Sequence, residues 1–171
     1  MKSVPRTREG GAAILKIPHA SQKLLRELET VLHRDIPMTR HLGLHVGEFN
    51  DKGLYFHAPL TPNINHEGTV FGGSLAAATT LVSWGLLWLV MKQHRSARIV
   101  VQESYLSYMR PVTKDFVAHC IHPSDAQVHR MLTALDRHKK GRIELFSEVQ
   151  ENGKPCVGYR GRFVVLPEDV K

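Results

Sequence analysis

Residues 70–91 read VFGGSLAAATTLVSWGLLWLVM, and no side chain in that stretch is charged. A surface helix keeps its apolar residues to one stripe, whereas this segment is apolar on every side and must be hidden all round. Either lipid or the protein itself can do that. About 20 apolar residues suffice to cross a bilayer. Against a span stand Gly72, Gly73, Ser74, Thr79, Thr80 and Ser83, strand-like neighbours, and the lack of a clear charge asymmetry between the flanks. The segment is therefore expected to be a core helix wrapped by its own chain, with no membrane span.

The surrounding sequence supplies the wrapping. Upstream, Ser21 is a plausible N-cap for a helix with Leu24, Leu25, Leu28, Val31 and Leu32 at helical spacing, ended by Pro37. Leu42–Phe49 and Leu54–Leu60 alternate around Asn50-Asp51-Lys52-Gly53, which signals a hairpin. Downstream, strands are predicted over Ile99–Tyr108, Phe116–Ile121, Arg142–Gln150 and Cys156–Leu166. A helix capped by Ser124 or Asp125 interrupts them and runs to about His138. Glu151-Asn152-Gly153-Lys154 reads as a hairpin turn. An antiparallel sheet needs one apolar face covered, and the apolar helix needs cover on nearly every side. A sheet curled round that helix meets both needs. The class is α+β, and the surface left over argues for a homo-oligomer, a dimer or a dimer of dimers.

Composition agrees with one ordered domain. The chain has 171 residues, 42% of them hydrophobic and 23% charged, so disorder is not expected. Residues 1–17 read as a flexible basic tail, and 18–171 as the single domain. The formal charge is +7, which favours an anionic partner. The densest basic cluster, Lys139-Lys140-Gly141-Arg142, reads as a turn and not as a nucleic-acid arm. Cys120 and Cys156 lack any metal or redox spacing and suit buried thiols in a reducing cytoplasm. Ala12–Ile17 is too short for a signal peptide and contains Lys16. His41 and His45 lie four apart, but a strand-like setting without a carboxylate argues against a metal. Trp84 and Trp88 read as a core or subunit-interface stripe.

The chemistry concentrates in Asn63-Ile-Asn-His-Glu-Gly-Thr-Val-Phe-Gly-Gly-Ser74, a polar loop entering the buried helix. The start of a helix offers unpaired N–H groups and a positive dipole end. Glycines there let a ligand approach the backbone, so Gly72 and Gly73 either receive an oxyanion or only permit tight packing.

Asn65 followed by the glycines that open a long helix resembles the hotdog-fold thioesterase superfamily. The pattern A-P-L-x-P-N-I-N-H-x-G-T-V-F-G-G-S-L (Ala58–Leu75), then W-G-L-L-W-L (Trp84–Leu89), is more specific. It is similar to the thioesterase-like domain found C-terminal to some bacterial acetyltransferases and also as a free-standing protein. The likeness covers roughly residues 20–167. It implies a curved antiparallel sheet round a central helix, and hydrolysis of an acyl-CoA or acyl carrier protein thioester without any cofactor. It also implies that Asn65 holds the superfamily asparagine position and that the Gly72 N–H polarises the thioester carbonyl. In the phenylacetyl-CoA branch a histidine stands where this chain has Phe71, and a catalytic aspartate where it has Thr80.

With no carboxylate in the helix, water must be positioned otherwise. Thr80 and Ser83 lie three apart and either hold a water or bond back to the preceding turn. His66 is either a general base or a loop residue bonded to backbone. Glu103 is the nearest downstream acid and otherwise a solvent-facing strand residue. Arg95, Arg98, Arg110, Lys114 and the 139–142 turn are candidate phosphate contacts. A hotdog that binds acyl thioesters or a partner without catalysis is the alternative function.

Overall fold

The structure is a computed structural model and describes residues 20–168. The tail read over 1–17 lies outside the described residues. Ser21 caps α1 (Gln22–Asp35), its hydroxyl accepting the Leu24 N–H at 3.3 Å. Leu25, Leu28 and Leu32 form its buried stripe. The helix stops at its C-cap, Ile36, immediately before Pro37, as the sequence indicated. Proline's fixed φ also suits a helix start. Pro37 precedes the short helix α2 (Met38–His41), which the sequence reading did not anticipate. Gly43, at φ +62°, then turns the chain into β1 (His45–Asn50). His41 therefore lies in α2 and His45 in β1, not together in the strand-like setting expected.

β1 pairs with β2 (Gly53–Ala58) in the expected hairpin. A short 3-10 turn, Thr61–Asn63, opens the loop into α3 (Gly72–Lys92). Then follow β3 (Ala97–Tyr108), β4 (Phe116–Ile121), α4 (Asp125–His138), β5 (Gly141–Glu151) and β6 (Lys154–Pro167). The six strands form one sheet in the order β1-β2-β4-β5-β6-β3, with every neighbouring pair antiparallel. β5 and β6 meet at Asn152-Gly153, both with positive φ (52° and 71°), which a two-residue hairpin of matching twist demands.

α4 is closed by a full capping box: the Ser124 hydroxyl accepts the Gln127 N–H, and the Gln127 side chain accepts the Ser124 N–H. Ser124→Ala should cost about 0.5–2 kcal/mol in chemical denaturation. A cost near zero would mean that the cap is redundant with the packing of Val128, Met131 and Leu135.

α3 packs against β2, β3, β4, β5 and β6, while α1 covers β1. It is long and apolar enough to cross a bilayer, yet 72% of its most apolar window is buried within the protein. Leu86, Leu87 and Leu89 have no exposed surface. This is the hotdog architecture that the resemblance implied, a long helix against an antiparallel sheet. One narrow stripe of α3 stays half-buried: Ala76, Thr80, Trp84 and Trp88. Trp84 ties that stripe to β3, donating its indole N–H to the Ile99 carbonyl at 3.2 Å. β3 is an outer strand and exposes Val100, Val101, Tyr105 and Tyr108.

Candidate active site

Phe71 is the N-cap of α3 and offers no side-chain cap. Its backbone does the capping: the Phe71 carbonyl accepts the N–H groups of Ser74 and Leu75 at 3.0 and 3.2 Å. The N–H groups of Gly72 and Gly73 meet no acceptor among the described residues. They open the first turn of a helix of 21 residues, where the dipole adds positive potential. Gly72 lines a cleft of about 310 Å³. Val70, Gly72 and Leu75 form one wall, and Tyr108, Arg110 and Val112 the other.

The two walls are joined. The Tyr108 hydroxyl donates to the Gly72 carbonyl at 3.0 Å, and the Val70 N–H donates to the Val112 carbonyl at 2.8 Å. The loop beyond Val112 is held by Glu151, whose carboxylate accepts the Thr113 N–H and hydroxyl, each at 2.7 Å. Those bonds to Thr113, with Lys114 nearby, hold the Glu151 carboxyl below its ordinary pKa. The sign follows: this brace is present at neutral pH and is lost as pH falls through the lowered pKa.

The loop before α3 is organised by two asparagines. Asn65, which the resemblance puts on the superfamily asparagine, spends its side chain on the loop itself. Its oxygen accepts the N–H groups of Glu67 and Thr69 at 2.9 and 3.1 Å, and its amide donates to the Thr69 hydroxyl at 3.0 Å. Asn63, which sequence reasoning passed over, is 2% exposed. Its amide donates to the carbonyls of Leu42 (2.9 Å) and Pro59 (2.7 Å), and its own carbonyl accepts the Phe71 N–H at 2.7 Å. Asn63 thus fixes the residue that caps α3. Its side-chain oxygen is buried without a partner. Tyr108 was also missed, since its bond to Gly72 spans 36 residues and leaves no local signal.

The other predicted residues do not converge on the cleft. His66 pairs with Glu67 at 3.1 Å on an open loop, with 87% of its side chain exposed. Ser83 is fully buried and its hydroxyl returns to the Thr79 carbonyl at 3.0 Å, the back-bonded arrangement. Ser147 donates to that same carbonyl at 2.9 Å. Thr80 sits on the half-buried stripe and has no hydrogen-bond partner among the described residues. Glu103 is bound to Arg162 at 3.0 Å. Burial pushes the Cys120 thiol up to about 12, outweighing the neighbouring Ser83, so it is no thiolate nucleophile. Among the described residues no group of three or more His, Cys, Asp or Glu side chains is placed to hold a metal ion.

The arrangement can receive an anionic oxygen on the Gly72 backbone donor at a helix start, in a cleft with no carboxylate in its lining among the described residues. A family model described as "Putative thioesterase (yiiD_Cterm)" matches residues 25–167. The crystal structure of a Chlorobaculum tepidum protein of unknown function is 26% identical, with 85% of this chain and 96% of that one covered and a TM-score of 0.81. A putative thioesterase from Shewanella oneidensis is 29% identical over 85% and 98% of the two chains, at a TM-score of 0.74. A Haemophilus influenzae thioesterase, 17% identical over 86% and 94%, shares the fold at 0.61.

Proposed function

Because the chain belongs to the yiiD_Cterm thioesterase family, we propose that it hydrolyses the thioester of an acyl-CoA or an acyl carrier protein. The observation that carries this reading is the cleft lined by Gly72, whose N–H meets no acceptor among the described residues. A thioester carbonyl oxygen lodged there gains hydrogen bonds that strengthen as it becomes an oxyanion. Water adds to the carbon, the C–S bond breaks, and a carboxylic acid and a thiol leave.

The β3 edge supports action as a homo-oligomer. An outer strand of 12 residues with unpaired backbone groups and exposed Val100, Val101 and Tyr105 invites a second copy. That copy also bears on the water. Thr80 lies about 12 Å along the helix axis from Gly72, too far to serve the same carbonyl. On this reading the Thr80 hydroxyl serves the cleft of the partner copy and not its own.

The test is release of free thiol from a panel of acyl-CoA thioesters by protein whose oligomeric state is confirmed by light scattering. Chain-length-dependent release by a dimer or larger assembly is expected. A folded oligomer that releases no thiol from any member would sink hydrolysis. One observation favours a second reading, a non-catalytic acyl-thioester binder: neither α3 nor the cleft contains a carboxylate to act as base. Calorimetric binding of acyl-CoA without turnover would select it.

A further inference from the structure

The cleft has one charged residue in its wall, Arg110. Its guanidinium is aimed by the backbone of β6: one N–H donates to the Pro155 carbonyl at 2.8 Å, while the Arg110 main-chain N–H donates to Cys156 at 3.3 Å. A guanidinium has five donors, and this contact uses one. No carboxylate pairs with Arg110 among the described residues. The other cations singled out from sequence are placed elsewhere or already engaged. Arg95 pairs with Asp136. Arg142 reaches Gln102 at 3.4 Å, and Lys139 closes α4. Lys114 faces Glu151. The 139–142 turn adjoins Val165, at the opposite end of β6 from Pro155.

An exposed, preoriented arginine with no carboxylate partner among the described residues, in the same cleft as the free Gly72 N–H, is equipped for a second anion on the same ligand. We propose that Arg110 is a specificity-determining residue of the thioester cleft, and that it selects substrates carrying an anionic group, phosphate or carboxylate, besides the thioester. This rests on the thioesterase reading and adds the substrate class. The anion has two sources, the phosphates of the CoA arm or a carboxylate on the acyl group, and both offer the oxygens that a guanidinium fork binds. The chain's charge of +7 favours the approach of either.

The test uses the full chain, wild type, Arg110→Gln and Arg110→Lys, with three probes. Octanoyl-CoA carries phosphates, succinyl-pantetheine carries only a carboxylate, and octanoyl-pantetheine carries neither. Arg110→Gln should raise KM about 10–100-fold on the probe whose anion is recognised and leave octanoyl-pantetheine unchanged. Arg110→Lys should recover part of the loss. The affected probe identifies the source. An equal loss on octanoyl-pantetheine, or no loss on any probe, overturns the proposal. If the wild type releases no thiol from any probe, hydrolysis fails by itself. The intact thioesters then serve as ligands, and the same comparison is read as Kd by calorimetry.

Discussion

Replacing Gly72 by proline should lower kcat for thioester hydrolysis about 10²–10³-fold while α3 stays folded. Gly72 is the first residue of α3, the one helical position where proline is favoured, because the N–H it lacks has no helical partner anyway. Proline also restricts the residue before it to extended backbone. Phe71 is already extended, with φ −60° and ψ 132°. The substitution thus removes a hydrogen-bond donor and little else. Gly72→Ala is the control. Its Cβ would meet the Tyr108 ring at 3.5 Å, an ordinary contact, and it keeps the donor. The alanine variant should retain far more activity than the proline variant. Thermal unfolding measured beside kcat separates chemistry from folding. A folded proline variant with wild-type turnover would remove Gly72 from the mechanism.

The second large effect concerns stability. Leu86 sits in the middle of α3 with no exposed surface, surrounded by the protein's own core. Leu86→Ala should cost about 2–5 kcal/mol, the loss of buried methyl groups plus the cavity left behind. For a protein of this size that lowers Tm by roughly 4–20 °C. In urea the midpoint should fall with an unchanged slope, the mark of a changed stability and not a changed unfolded state. The two environments weighed for this helix differ sharply here. A leucine facing lipid tails has no protein neighbours to abandon, so a variant as stable as the wild type would argue against core burial.

Much of the frame was legible in the sequence because its signals are local. β4 runs from Phe116 to Ile121, the bounds the sequence predicted. Ser124 caps α4, and Asn152-Gly153 turns the last hairpin, because each depends on residues three or fewer apart. α2 was hidden because four residues after a proline are too few to show a helical period. The site was legible only in part. Gly72 and Gly73 stand out as glycines at a helix start. The choice between Asn63 and Asn65 depends on the Leu42 carbonyl, 21 residues away in sequence, and no spacing rule reports that contact. Tyr108 read as the end of a strand, and Arg110 as one of several candidate phosphate contacts. Their arrival at the cleft depends on how β3 and β6 lie together. Ser83 failed as a water holder for a local reason: its own helix supplies a carbonyl acceptor one turn back.

The strand order carries a consequence for biosynthesis. β3 leaves the ribosome well before β6, yet among the described residues β6 is its sole partner in the sheet, with Ala97 opposite Pro167 and Tyr108 opposite Val157. Until β6 emerges, β3 has nothing to zip against, and the oily helix just before it lacks part of its sheath. Such long-range pairing is slow and leaves sticky intermediates. Nascent or truncated chains lacking β6 should therefore be the ones that aggregate or recruit chaperones.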